Sequence, residues 1–192
     1  MEMKMRVYNT DIEGVLVFEP VVFGDRRGYF MESFSERVFS EYVPGVRFVQ
    51  DNESRSSHGV LRGLHFQRPP FAQSKLVRVV EGAVLDVAVD IRRGSPTFGR
   101  HVAVELSEDN HRQVFIPKGF AHGFVVLTET ALFQYKCDCF YSPQHEGAIA
   151  WDDPDLNIDW RLSRECLVLS DKDMSNPLFK DAEWLFDYKE DC

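Results

Sequence analysis

Residues 83–91 carry the pattern that most limits the fold. Leu85, Val87, Val89 and Ile91 alternate with Val84, Asp86, Ala88 and Asp90. That period of two belongs to a pleated strand with two distinct faces. Residues 75–80 precede this run across a Glu81-Gly82 turn. Residues 101–106, 113–116, 123–127 and 131–141 follow it as further short strands, and Arg93-Gly94-Ser95-Pro96 marks a loop. Strand after strand, with no helical segment between them, predicts an antiparallel sandwich or barrel rather than βα units. Helical patterns are confined to the edges, near residues 36–42 and 179–187. The fold class is therefore mainly β: a jelly roll with a few short peripheral helices. Such a fold curls two sheets over one another and leaves a pocket at one mouth.

No biased linker and no internal repeat divides the 192 residues, so a single domain is expected over residues 1–192. The formal net charge of −9 argues against wrapping nucleic acid, which requires a basic face. A few arginines can still build one positive pocket for a small anion. No run approaches the roughly 20 apolar residues of a membrane span, and residues 1–10 lack the apolar core of a signal peptide. A cytoplasmic location is expected. Cys137, Cys139, Cys166 and Cys192 form no CxxC pair and read as reduced thiols.

The segment 131–141, read as one strand, puts Phe133, Tyr135, Cys137, Cys139 and Tyr141 on one face. Its two tyrosines are either core fillers or the lining of a wet cavity, and the strand alone favours core. The densest polar cluster is QDNESRSSHGVLRGLHFQ, residues 50–67. Its alternation sends His65 and Gln67 to one face, and Lys75 follows eight residues later. Arginine, histidine, amide and lysine together exceed what a folding core needs. Pro117-Lys118-Gly119-Phe120-Ala121-His122 has the Pro-x-Gly-x-x-His form of the second half of a cupin motif. Metal-binding cupins pair that histidine with an HxH and a glutamate. Here the first pair reads His65-Phe66-Gln67, and no well-placed carboxylate precedes the cation Lys75. A dismantled ligand set predicts chemistry without a metal, and no other cofactor is expected.

Several stretches resemble one family in order along the chain: Asp25–Phe34, Gln50–Asn52, Gly59–Gln67, Lys75, Pro117–Phe124, Tyr135–Glu146 and Ser170–Asp173. Together they look like the dTDP-4-dehydrorhamnose 3,5-epimerase family of the cupin superfamily, with the match running from about Gly14 to about Leu178. One departure is Cys137-Asp138-Cys139-Phe140, where the family more often has Cys-Thr; both tyrosines survive it.

The resemblance implies epimerisation at C3 and C5 of dTDP-4-dehydro-6-deoxy-D-glucose, whose C4 ketone acidifies the neighbouring C–H bonds. It makes His65 the base, since a neutral imidazole with an ordinary pKa of about 6.5 suits that task. Asp173 would orient and charge-stabilise the ring, Lys75 would hold the enolate oxygen, and Tyr135 would be the acid. Arg27 and Arg62, with Lys172, would grip the diphosphate. Gln50, Asn52 and Glu32 would be polar contacts, Tyr141 the surface on which thymine stacks, and His122 and Glu146 further ligand contacts. Asp86 is a weaker candidate for positioning the catalytic groups. A homodimer, with an N-terminal segment reaching its partner, is also implied. Relatives that invert only C3, or move the ketone to C3, share most of these motifs, as would a cupin that merely binds a nucleotide sugar.

Overall fold

The computed structural model describes residues 5–182 and 186–188. Its strands, in chain order, are β1 (Arg6–Asn9), β2 (Leu16–Glu19), β3 (Val22–Asp25), β4 (Gly28–Met31), β5 (Gln50–Ser57), β6 (Leu61–Gln67), β7 (Lys75–Glu81) and β8 (Ala83–Asp90). They continue as β9 (Arg92–Arg93), β10 (His101–Ser107), β11 (Gln113–Ile116), β12 (Phe120–Val126), β13 (Thr130–Cys137), β14 (Glu146–Ala148) and β15 (Phe186–Asp187). Two sheets face each other, a six-stranded one in the order β1-β2-β11-β7-β13-β5 and a five-stranded one in the order β10-β8-β12-β6-β14. The pairings within both are antiparallel. This is the jelly-roll arrangement that the strand rhythm predicts.

The alternation along β8 separates two cores. Leu85, Val87, Val89 and Ile91 point away from the sandwich and are covered by the C-terminal third through Trp151, Leu156, Trp160 and Phe186. Val84 and Ala88 point inward to meet Val77, Val79, Leu106, Phe124 and Phe133. Leu85 and Ile91 are completely buried, so truncating either to Ala should cost about 2–5 kcal/mol. The turn between β7 and β8 depends on Gly82, whose φ is +76°; an added Cβ would lie 2.1 Å from the Thr130 carbonyl oxygen.

Helix α1 (Glu36–Tyr42) forms where the sequence predicts it. Glu36 in its first turn suits the helix dipole. Phe39, with Val43 just beyond the helix, packs on Phe18, Leu76 and Phe115 on the outer face of the six-stranded sheet.

The helix expected over 179–187 does not form as such. Residues Phe179–Asp181 make one 3-10 turn, residues 183–185 lie outside the described part, and Phe186–Asp187 pairs in parallel with Arg92–Arg93. Phe186 is buried against Phe66. Phe186 thus anchors a short strand against the sheet rather than belonging to the stripe of a helix. A second short helix, α2 (Asp171–Met174), was not anticipated; Ser170 caps it by accepting the backbone N–H of Asp173.

The strand read over 131–141 also ends early, at Cys137. Beyond it, Asp138 turns inward, and its Oδ1 accepts the Ser74 backbone N–H at 2.6 Å. The chain to Tyr141 then runs as a loop held by side chains, so Tyr141 is not on the strand face of Tyr135.

Candidate active site

The centre of the five-stranded sheet supplies two histidines. His65 on β6 and His122 on β12 are directly paired across the strands. Phe124 on β12 pairs with Asp86 on β8. Strict alternation would put Arg62 and His65 on opposite faces, yet both line one cavity while Leu61, Leu64 and Phe66 enter the outer core. The register slips between His122 and Phe124, where β6 and β12 come unusually close. A Cβ on Gly63, whose φ is +146°, would lie 2.6 Å from the Gly123 Cα. This bulge re-aims Arg62 into the cavity.

The opposing sheet supplies the other reactive groups. Cys137 and Tyr135 on β13 pair with Lys75 and Val77 on β7. On the other flank of β13 they pair with Gln50 and Asn52 on β5. Two adjoining cavities, of about 420 and 300 Å3, share His65, Lys75 and Tyr135 and so form one cleft. The larger also takes in Arg62, His122, Lys172 and Asp173. The smaller takes in Gln50, Asn52, Tyr141 and Glu146. The exposure of Tyr141, at 54%, rules out the core-filler reading for it, and Tyr135 lines the cleft.

Arg27 and Glu32 do not join this group. Arg27 sits at the exposed tip of the β3–β4 hairpin, bonded to Asp25. Glu32 lies just past that hairpin and lines neither cavity of the cleft.

His65 is held by Asp173, with Nε2 to Oδ1 at 2.5 Å, and Ser170 donates to the other carboxylate oxygen at 2.8 Å. Burial works against ionising Asp173, but the bonds from His65 and Ser170 outweigh it and keep the carboxyl below its ordinary range. An ionised carboxylate only accepts hydrogen bonds. In the neutral form of the ring, the proton that faces this carboxylate is the one on Nε2, and the lone pair is left on Nδ1.

His122 Nε2 donates to Asp86 Oδ2 over 2.8 Å in a buried pair. Burial pushes the His122 imidazole below its usual pKa, against the pull of Asp86. Burial likewise lowers the Lys75 ammonium, with Cys137, Asp86 and Glu146 drawing it partly back up. Asp86 is thus a carboxylate inside the sandwich that touches one histidine and acts electrostatically on the lysine, which develops the weak sequence hint. Burial raises the Tyr135 phenol, so it stays protonated and able to donate. The Cys137 thiol is pushed up to about 11, chiefly by burial, which makes it an inert neighbour.

At the rim, Glu146 accepts from Lys172 at 2.6 Å and from the Tyr141 hydroxyl at 3.2 Å. Arg62 donates to a neutral partner, Ser56 Oγ, at 3.2 and 3.3 Å.

A metal does not suit the place where cupins hold one. The Gln67 amide is committed to three backbone groups, and Lys75 lines the same cavities as His65. Sequence reasoning treated Gln67 only as a missing ligand, and it did not foresee the cap by Ser170. The Ser-x-x-Asp spacing of a helix cap was the available signal for the second.

A jelly roll whose cleft sets a His–Asp pair opposite a lysine and a protonated phenol is a cupin-type scaffold built for proton transfer at carbon. The comparisons with known proteins agree. A family model described as dTDP-4-dehydrorhamnose 3,5-epimerase matches residues 9–181, and the chain belongs to that family. The enzyme of that name from Shigella flexneri is 56% identical, over 94% of this chain and 99% of its own. One from Pseudomonas aeruginosa is 54% identical over 93% and 98%. Among solved structures, a dTDP-6-deoxy-D-glucose-3,5-epimerase from Legionella pneumophila, in complex with dTDP-4-keto-L-rhamnose, superposes with a TM-score of 0.92. It is 52% identical and covers 96% of this chain and 98% of its own. A 3'-monoepimerase from Streptomyces bikiniensis is more distant, at 35% identity with a TM-score of 0.87 over 94% and 92%.

Proposed function

We propose that this protein inverts C3 and C5 of dTDP-4-dehydro-6-deoxy-D-glucose, giving dTDP-4-dehydro-L-rhamnose. The observation that carries this reading is the placement of His65 and Tyr135 on opposing sheets across one cleft, with Lys75 between the two cavities they share. A sugar ring lying in the cleft meets a base on one face and an acid on the other.

Nδ1 of His65 takes the proton from carbon, and the C–H electron pair moves into the C4 carbonyl to give an enolate. Lys75 stabilises the charge on that oxygen, where it develops. The Tyr135 hydroxyl then gives its proton to the opposite face of the carbon as the carbonyl re-forms. Asp173 keeps the His65 tautomer fixed and stabilises the imidazolium. His65 and Tyr135 exchange protons with solvent between rounds, so the net reaction is an isomerisation that needs neither a redox partner nor a metal. Exclusion of water is helped by Phe124 and Phe133, which line the cavity floor.

In the bound state thymine stacks on Tyr141, and the diphosphate draws on Arg62 and on Lys172 released from Glu146. Gln50, Asn52 and His122 complete the polar contacts. Arg27 and Glu32 reach a ligand from a second copy of the chain. The hairpin that bears Arg27 also exposes Phe23, Tyr29 and Phe30, an aromatic surface suited to burial in a homodimer. A cytoplasmic location fits the free Cys137, Cys139 and Cys166 thiols. Among the described residues, no helix is long and apolar enough to cross a membrane.

The test is turnover of the keto sugar in deuterated water. Label at both C3 and C5 with inversion at each is expected. Label confined to C3 would make the protein a single-centre epimerase, and no label would make it a binder.

A further inference from the structure

Gln67 is 4% exposed and stands where a metal-binding cupin carries its second histidine, yet its amide points into the loop beyond β13. Its Nε2 donates to the Phe71 and Phe140 carbonyls at 2.7 and 3.2 Å, and its Oε1 accepts the Ser142 N–H at 2.6 Å. From the opposite sheet, Gln50 Oε1 accepts the Tyr141 N–H at 3.1 Å. Both peptide groups flanking Tyr141 are therefore anchored by side chains, one on each sheet. The Tyr141 ring itself is mostly exposed, so side-chain packing does little to fix it. Its place is set by its backbone, together with its hydroxyl bond to Glu146.

We infer that Gln67 is a positioning residue for the nucleotide: it pre-orders the Phe140–Ser142 backbone so that the Tyr141 ring is a ready surface for a flat base. This rests on the proposed stacking at Tyr141. The position needs an amide in particular. Only an amide donates to two carbonyls while accepting from an N–H on the same end group. A glutamate of the same size keeps the Ser142 bond but sets a carboxylate against the Phe71 and Phe140 oxygens. A methionine of similar length keeps the volume and loses all three bonds. Because Gln67 touches no reacting atom in this arrangement, its loss weakens the grip on the nucleotide and leaves the proton transfers alone. A loop that must be ordered at each binding event spends part of the interaction with ligand on that ordering.

The experiment measures dTDP binding by calorimetry, and KM and kcat with the keto sugar, for Gln67→Met, Tyr141→Ala and the double variant. Thermal melts verify folding. Gln67→Met should weaken dTDP roughly tenfold, the scale of a few lost hydrogen bonds. KM should rise in step, and kcat should stay within about twofold of the parent. In the double variant, adding Gln67→Met to Tyr141→Ala should cost no further affinity, since there is no ring left to position. Gln67→Glu is the second variant should Gln67→Met fold poorly, with the same split expected.

Losses that multiply in the double variant, or a fall in kcat without a change in dTDP affinity, would overturn the inference. So would unchanged binding by Gln67→Met when Tyr141→Ala binds weakly. If Tyr141→Ala alone binds dTDP normally, the stacking reading fails first, and the role of Gln67 falls with it.

Discussion

The inner and outer halves of the cleft are built differently. Inside, His65, His122, Asp86 and Asp173 are buried or partly buried, and each is tied to a second group: His65 to Asp173, Asp173 to Ser170, and His122 to Asp86. At the rim, Tyr141 and Lys172 are exposed and share one carboxylate, Glu146, while Arg27 stands on a hairpin away from the cleft. The inner half is complete within one chain and fixed before substrate arrives. Under the proposed function, the outer half exchanges partners and gains residues from a second copy to close on a nucleotide. Proton transfer depends on preset geometry at the level of tenths of an ångström, whereas a nucleotide handle tolerates adjustment. The contrast therefore matches the demands on each half.

The largest effect that sharpens this contrast comes from removing the base. His65→Asn should lower kcat about 10²–10⁴-fold, the usual contribution of a positioned general base, and leave dTDP affinity near that of the parent. Steady-state kinetics with calorimetry verifies the split. A parallel loss of dTDP binding would mean that the two halves are not separable.

A smaller effect belongs to the rim. Tyr141→Ala should weaken dTDP by about 1–3 kcal/mol, the range of base–aromatic stacking, while Tyr141→Phe keeps the ring and loses much less. Equal losses for the two substitutions would assign the effect to the hydroxyl and its bond to Glu146 rather than to the ring.

The smallest effect is on stability. Burial depresses the His122 pKa in the folded protein, so the unfolded chain takes up that proton first as pH falls. The stabilising contribution of neutral His122 is present above the ordinary imidazole pKa of about 6.5 and declines as pH drops below it toward the folded value. The Tm should fall between pH 7 and pH 5, and His122→Asn should flatten that slope. An identical slope in the variant would place the titration elsewhere.

Much of this was legible in the sequence, and the residues that were not share a cause. The β8 alternation gave both cores of the sandwich, because a period of two has one structural meaning when both faces are buried. Helix α1 was legible from its own pattern. The segment 131–141 was misread because local apolar spacing continues past Cys137, while the loop is imposed by distant groups: Gln73, Gln67 and Gln50 bind its backbone, and the Ser74 N–H holds the Asp138 carboxylate. The segment 179–187 failed similarly, since Phe186 is claimed by a pocket formed elsewhere in the chain. In the site, the types His, Lys, Tyr and Asp were readable, but the bulge that lets Arg62 share a cavity with His65 was not. That irregularity arises from two glycines, Gly63 and Gly123, meeting across strands, and no pattern within either strand reports it.

The division of labour between the two sheets is tested most directly by Tyr135→Phe. Proton NMR of the keto sugar in deuterated water reads exchange and configuration separately at C3 and C5. With His65 and Lys75 intact, deuterium should still enter the substrate from the His65 face, because the enolate can be reprotonated by the group that formed it. Inversion should fall much further than exchange, since only water then serves the opposite face. A Tyr135→Phe enzyme that inverts both centres at the parent rate would contradict the placement of acid and base on opposing walls of the cleft.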